Sequence, residues 1–328
     1  MASFRRVLTK RVFNALITIL MIMVLNFFLF RVMPVDPAAL MIPRNPDLDT
    51  QRIYLENIEK FGLNETLPMQ FLIYMKMSFT GDWGTSYIYK LPVLEAMTSA
   101  LAWTALLLGI SSILTFLIGM YLGKVAARRR GKSMDFAITG FGLFFYGMPI
   151  FWFAIMLMLI FAVKIPILPS GGYITSGIHP FPLTFSKILD MLMHLVLPCA
   201  TLVIGAIAGI ILIMRNTLVD VLTEDYIATA YAKGLTEKMV MKKHAGPNAR
   251  LPIVTTIAMD TAFILGGAFQ VEWVFGYKGI GWMTIDAINQ SDYPLLQFIF
   301  LIGGMAVVFA NLFADLALVK LDPRVSIV

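Results

Sequence analysis

TEDYIATAYAKGLTEKMVMKKHAGPNARLP, residues 223–252, is a polar, basic and helix-patterned stretch lying between two apolar runs that each read as a membrane-crossing helix. Thr223 is placed to cap a helix whose first turn carries Glu224 and Asp225 near the positive end of the dipole. Ile227, Ala230, Tyr231 and Leu235 then fall on one stripe, while the small Ala228, Ala230 and Ala232 would let another protein's backbone come close. Gly234 ends the helix where a left-handed residue is least strained. Thr236 caps a second helix that runs to His244, and Pro247 and Pro252 turn the chain back toward the bilayer. A loop this long and regular inside a membrane protein is expected to dock a soluble partner.

The composition agrees with a membrane solvent: 59% of the residues are hydrophobic, 14% are charged, and the mean hydropathy is +0.79. Six runs meet the length of about 20 apolar residues that a spanning helix needs, roughly 12–31, 99–123, 136–162, 194–214, 253–274 and 295–318. They are continuous and lack alternating polarity, so they read as helices rather than barrel strands.

Lys and Arg gather at the amino end (Arg5, Arg6, Lys10, Arg11), after the second run (Lys124, Arg128, Arg129, Arg130, Lys132), and along the long loop (Arg215, Lys233, Lys238, Lys242, Lys243, Arg250). Lys320 and Arg324 add to this in the tail, whereas the opposite short loops hold only Lys164, Lys187 and Lys278. The bias places both termini in the cytoplasm of a multi-pass plasma (inner) membrane protein. The net charge of +6 is thereby accounted for by topology, with no nucleic acid partner required.

The expected organisation is an N-terminal cytoplasmic segment and first helix over 1–35, an exterior segment over 36–96, and a five-helix core over 97–328 whose cytoplasmic loop covers 215–252. The first run is too long for a cleaved leader and reads as a retained anchor. In the exterior segment, residues 49–61 and the stretch beginning at Pro68 suit two short helices. Gly81-Asp82-Trp83-Gly84 marks a turn, with Trp83, Tyr87 and Tyr89 expected at the bilayer interface. Cys199 stands alone, so no intrachain disulfide is possible.

The loop resembles the EAA loop of permease subunits of binding-protein-dependent ABC importers, in the branch that includes dipeptide and oligopeptide systems. Ala228-Thr229-Ala230 occupies the Glu-Ala-Ala place, with Gly234 six residues after Ala228. The branch pattern D-Y-x-x-T-A-x-A-K-G-L is matched by Asp225, Tyr226, Thr229, Ala230, Ala232, Lys233, Gly234 and Leu235, followed by His244-Ala245, Asn248-Ala249 and Pro252. Similar signatures stand at Pro34-Val35-Asp36-Pro37, Phe61-Gly62-Leu63-Asn64, Gly81-Asp82-Trp83-Gly84, Glu272-Trp273-Val274-Phe275, Asp292-Tyr293-Pro294 and Asp322-Pro323-Arg324. Gly246 and Lys278 depart from the pattern.

The resemblance implies an all-α membrane protein with six transmembrane helices, the type I (MetI-like) importer permease fold, and an exterior helical insertion after the first helix. It further implies a second homologous permease as heterodimer partner, two ATPase subunits and an extracellular solute-binding protein. No cofactor is then bound by this chain, ATP and magnesium residing on the ATPases. Di- and oligopeptides are the implied cargo, and related systems carry oligosaccharides or nickel. A stand-alone six-helix secondary transporter or channel is the competing class, and it gives no reason for the loop.

Other patterns are weaker. Ala126–Ser133, AARRRGKS, satisfies a loose phosphate-loop pattern, but it joins two spans and holds three adjacent arginines, which suits a topogenic turn. His179, His194 and His244 are dispersed. Polar groups in the spans mark a possible solute pathway or gate: Asp260, Gln270 and Glu272 in the fifth, Asn311 and Asp315 in the sixth. For Asp260 a structural hydrogen bond between helices is an equal reading. Gly205, Gly209, Gly303 and Gly304 are expected to permit close helix contact.

Overall fold

The computed structural model describes residues 2–31, 50–60, 62–249 and 268–321. Apolar runs become helices because backbone N–H and C=O groups in hydrocarbon must be satisfied within the segment. In chain order, α1 is Ala2–Arg31, α2 Thr50–Lys60, α3 Leu67–Thr80, α4 Val93–Arg128, α5 Ser133–Tyr146 and α6 Ile150–Met158, which continues as a π-helical turn over Leu159–Lys164. After a long loop come α7, Phe185–Leu222, and α8, Asp225–Ala232. Next is α9, formed by Glu237–Val240, the π-helical turn Met241–Ala245, and Gly246–Ala249. Residues 268–274 form α10, then α11 is Ile280–Gln290 and α12 Tyr293–Leu321.

Leu8–Arg31, Val93–Arg128, Phe185–Leu222 and Tyr293–Leu312 are each long and apolar enough to cross a membrane. The third expected span departs from a single straight helix. α5 and α6, with its π-helical extension, meet at a bend of 101°, so this stretch is a broken span or a re-entrant pair, and the described residues hold four to five candidate spans. Pro149 explains the break, since it lacks an N–H and disfavours helical ψ at Met148. Gly147 and Met148 instead close the end of α5 by donating to the carbonyls of Leu143 and Phe145. Of the fifth expected span, only 268–274 lies among the described residues.

The chain divides into two units, Met1–Ala105 with Lys278–Leu312, and Leu106–Tyr277 with Phe313–Val328. In the first, Met23, Phe27 and Phe30 recur at helical spacing on α1 and enter a core with Tyr74 and Met77 of α3, Met97 and Ala100 of α4, Met283 and Ala287 of α11, and Phe298 and Ile299 of α12. Asn26 Nδ2 donates to Tyr74 Oη at 2.8 Å and to the Gln297 carbonyl at 2.9 Å, tying three helices by one side chain. The two short helices expected after the first run form, with Pro68 in the first turn of α3 and Gly81, at φ 74°, closing it. Trp83, expected at the bilayer interface, is buried and stacks on Phe298, ring centroids 4.8 Å apart.

In the second unit α5 and α6 pack on α7. α4 meets α7 through Gly119 and Gly123, four residues apart on one helix face: an added Cβ would come within 2.8 Å of Ile210 Cβ and 2.6 Å of Met214 Cβ. The glycines singled out from the sequence behave unevenly. A Cβ added at Gly304 would meet Ile22 Cγ2 at 2.9 Å within the first unit, one at Gly205 would make ordinary contacts, and at Gly209 and Gly303 it would meet open space.

Candidate functional site

α7 carries the loop. Its last turns place Met214, Leu218 and Val219 in a buried cluster that also takes Ile227 and Ala230 from α8 and Val240, Ala245 and Ala249 from α9. The cluster holds α8 by its inner face. Thr223 ends α7, its hydroxyl donating to the Asp220 carbonyl, rather than capping α8; Glu224 occupies the cap position with no side-chain bond. The tight turn between the two helices leaves no extended residue at Thr223 for capping.

At the other end of α8, Gly234 adopts φ 80°. Its N–H donates to the Tyr231 carbonyl at 2.9 Å and the Leu235 N–H to the Ala230 carbonyl at 3.3 Å, the paired bonds of a Schellman motif. Leu235 then packs against the same cluster. Thr236 caps α9 as expected, its hydroxyl accepting from the Met239 N–H. Asn248 Nδ2 donates to Tyr226 Oη at 3.0 Å, so the start of α8 is bonded to the end of α9. Arg128, at the end of α4, pairs with Glu237 at 3.1 Å across the surface.

The outward face of α8 is consequently made of Asp225, Tyr226, Ala228, Thr229, Tyr231 and Ala232, followed by Lys233 and Gly234, all exposed. Ala230, grouped from the sequence with the small residues open to another protein, is turned into the chain's own core at 4% exposure. Ile227 beside it is the larger half of that anchor.

The polar residues of the spans fall in different settings. Asp260 lies outside the described residues. Gln270 is exposed on α10, while Glu272 on the same helix is fully buried. Beyond α10 the Phe275 carbonyl accepts from the Gly172 N–H at 2.8 Å, and an added Cβ on Gly171 would meet that carbonyl oxygen at 2.5 Å, so the Gly171-Gly172 loop is seated directly on backbone. The Thr175 hydroxyl and N–H both donate to Asp190 at 2.7 Å, fastening the same loop to the start of α7. Asn311 is exposed on α12, which also carries Asp315 one turn on.

Asp135 carries no signal in the sequence, and Arg215 counts there only among the cations of the long loop. Their carboxylate and guanidinium form a two-bonded pair, with Asp135 buried. A second oxygen contact, from the Gly131 N–H at 3.0 Å, fills the backbone donor that a phosphate loop would offer. AARRRGKS is therefore a turn between two helices with its anion position already taken by the chain itself.

Residues 116–327 match the family described as binding-protein-dependent transport system inner membrane component, and residues 4–107 match the N-terminal family of the same membrane components. The chain is 33% identical over 319 residues to the oligopeptide transport system permease protein AppB of Bacillus subtilis, covering 97% of this chain and 98% of that protein. It is 33% identical over 315 residues to the dipeptide transport system permease protein DppB of Alkalihalophilus pseudofirmus, covering 92% and 94%. It is also 33% identical over 321 residues to the glutathione transport system permease protein GsiC of Salmonella typhi, covering 96% and 97%. Among solved structures, a chain of the inward-facing MetNI methionine ABC transporter aligns with TM-score 0.56 at 15% identity, covering 70% of this chain and 98% of that one, a likeness of fold.

Proposed function

The chain belongs to the binding-protein-dependent transport system inner membrane components, and from that premise we propose that it forms half of the solute pathway of an ATP-driven importer of di- and oligopeptides. It is a multi-pass permease subunit, so the chemistry of ATP hydrolysis belongs to other subunits of such a system. The peptide cargo is supported by the relatives above, whose names specify oligopeptide, dipeptide and glutathione transport. Oligosaccharide or nickel cargo is the second reading, and a binding protein that retained neither peptide class would favour it.

In the proposed arrangement six helices cross the membrane with both termini in the cytoplasm, the broken α5–α6 pair and the stretch around 253–274 supplying the spans beyond the four continuous ones. Residues 1–35, 36–96 and 97–328 serve as anchor, exterior segment and permease core. A second homologous permease completes the pathway, two ATPases carrying ATP and magnesium seat against residues 215–252, and an extracellular binding protein delivers cargo. Asp260, Gln270, Glu272, Asn311 and Asp315 are assigned to the pathway or its gate.

The observation that carries the coupling role is the two-faced packing of α8. Its inner face is locked to α7 through Ile227 and Ala230, and its outer face is exposed, so displacement of α8 by an ATPase would move α7 with it as one body. The test is reconstitution of the permease pair, ATPases and binding protein in vesicles, with Ala228→Glu on the exposed face. Loss of cargo-stimulated ATP hydrolysis and uptake, with an unchanged melting temperature, is expected. Wild-type coupling in that variant would overturn the docking role, and uphill uptake by this chain alone would overturn the importer reading.

A further inference from the structure

The turn between α4 and α5 is built more firmly than a topogenic charge cluster requires. Arg128 on one side is paired with Glu237, and Asp135 on the other is held by Arg215 and by the Gly131 N–H. Those contacts engage the carboxylates of Glu237 and Asp135. Arg129, Arg130 and Lys132 remain exposed between them, with Arg130 acting on Asp135 only at range. The backbone that presents them is ordered by Arg129 and Arg130 N–H bonds back to α4, by the Lys132 N–H bond to the Arg129 carbonyl, and by a left-handed Gly131 at φ 73°.

What flanks the cations is apolar and exposed. Met134 and Phe136 at the start of α5 are 47% and 68% accessible, and Tyr121, two turns back on α4, is 66% accessible. Three cations on an ordered turn, at the end of a hairpin whose outward sides are apolar and aromatic, match the boundary of a bilayer, where acyl chains meet phosphates. Each cation near an anionic membrane surface contributes about 1 kcal/mol of attraction, which is roughly fivefold in occupancy.

We propose that Arg129, Arg130 and Lys132 form a binding site for the headgroup of an anionic phospholipid, with Met134 and Phe136 against its acyl chains. The site uses the chain's membrane setting and none of the cargo assignment. Its phosphate oxygens would accept from the two guanidinium groups and the ammonium, while the two short bonds to the Asp135 carboxylate come from Arg215.

The experiment places the permease assembly in nanodiscs of phosphatidylcholine with a minority of cardiolipin, extracts it in mild detergent, and counts retained cardiolipin by native mass spectrometry. The comparison variants are Arg129→Gln/Arg130→Gln/Lys132→Gln and, as a charge-matched control on α9, Lys238→Gln/Lys242→Gln/Lys243→Gln. Retention is expected to fall roughly fivefold per charge removed in the triple variant, and to be unchanged in the control. Equal retention by wild type and triple variant overturns the site, as does an equal loss in the control. Unchanged retention with loss of ATPase subunits from the triple variant would mean that the turn contacts protein instead. Because lipid retention is read without transport, its failure is distinct from failure of the importer reading.

Discussion

Arg215 holds Asp135 with two parallel bonds, Nε to Oδ1 at 2.9 Å and Nη2 to Oδ2 at 2.8 Å, joining the start of α5 to the end of α7. Asp135 is buried and Arg215 only a quarter exposed, so removing one partner strands the other charge where water screens it poorly. Arg215→Met is expected to destabilise the protein by on the order of 3 kcal/mol, and Asp135→Asn/Arg215→Met together by less. Thermal unfolding in detergent of Arg215→Met, Asp135→Asn, the double variant and wild type checks both; a double variant as unstable as the sum of the singles would show that the pair is not coupled.

Gly234 has open space around its Cα, with nothing within 4 Å of an added Cβ, so its requirement is conformational alone. Gly234→Ala is expected to destabilise by about 1–2 kcal/mol from the left-handed backbone, with Asn milder. Gly234→Pro also removes the bond to Tyr231 and cannot take φ 80°, so it should uncouple ATP hydrolysis from uptake in the reconstituted assembly.

Gly123 presents the opposite case. An added Cβ would meet Met214 Cβ at 2.6 Å and the Ile211 carbonyl at 2.8 Å, and backbone cannot step aside. Gly123→Ala should lower stability by about 1–3 kcal/mol, whereas Gly209→Ala, with no neighbour within 4 Å, should leave the melting temperature where it is or raise it slightly.

Asp292 introduces a pH dependence into the first unit. Burial pushes its carboxyl above the usual aspartate range, against hydrogen bonds from the Ser86 hydroxyl and the N–H groups of Ile88 and Leu295 that favour the charged form. A raised folded value means that this group's contribution to stability is fully present below the ordinary value of about 4 and is lost as pH rises through the folded one. Thermal unfolding from pH 4 to 7 should fall more steeply for wild type than for Asp292→Asn. Parallel curves would remove Asp292 as the source.

The membrane class and the ends of the helices were legible because they depend on local chemistry. Gly234, Thr236, Pro68 and Gly81 each do locally what their residue type dictates. Pairings at long range were not legible. Arg215 looks like any cation of a charged loop until the fold brings it 80 positions back to Asp135, and Gly119 and Gly123 gain meaning only from the identity of the helix opposite. Thr223 and Ala230 were placed on the wrong side of a boundary for the same reason: helical spacing tells which residues share a face, and only packing tells which way that face is turned. The break at Pro149 was readable from Gly147-Met148-Pro149, but the apolar run through it masked the signal.

The division of α8 into a face buried in its own chain and an exposed face, which the proposed function gives to an ATPase, sets two separate rules for how its residues can vary. Ile227 and Ala230 are restrained by the interior, whereas Ala228, Thr229, Tyr231 and Ala232 are restrained only by whatever they meet. Transplanting those four from a distant permease should therefore redirect the choice of motor subunit while the recipient folds as before, which makes the outward positions a natural handle for rewiring one transporter to the engine of another.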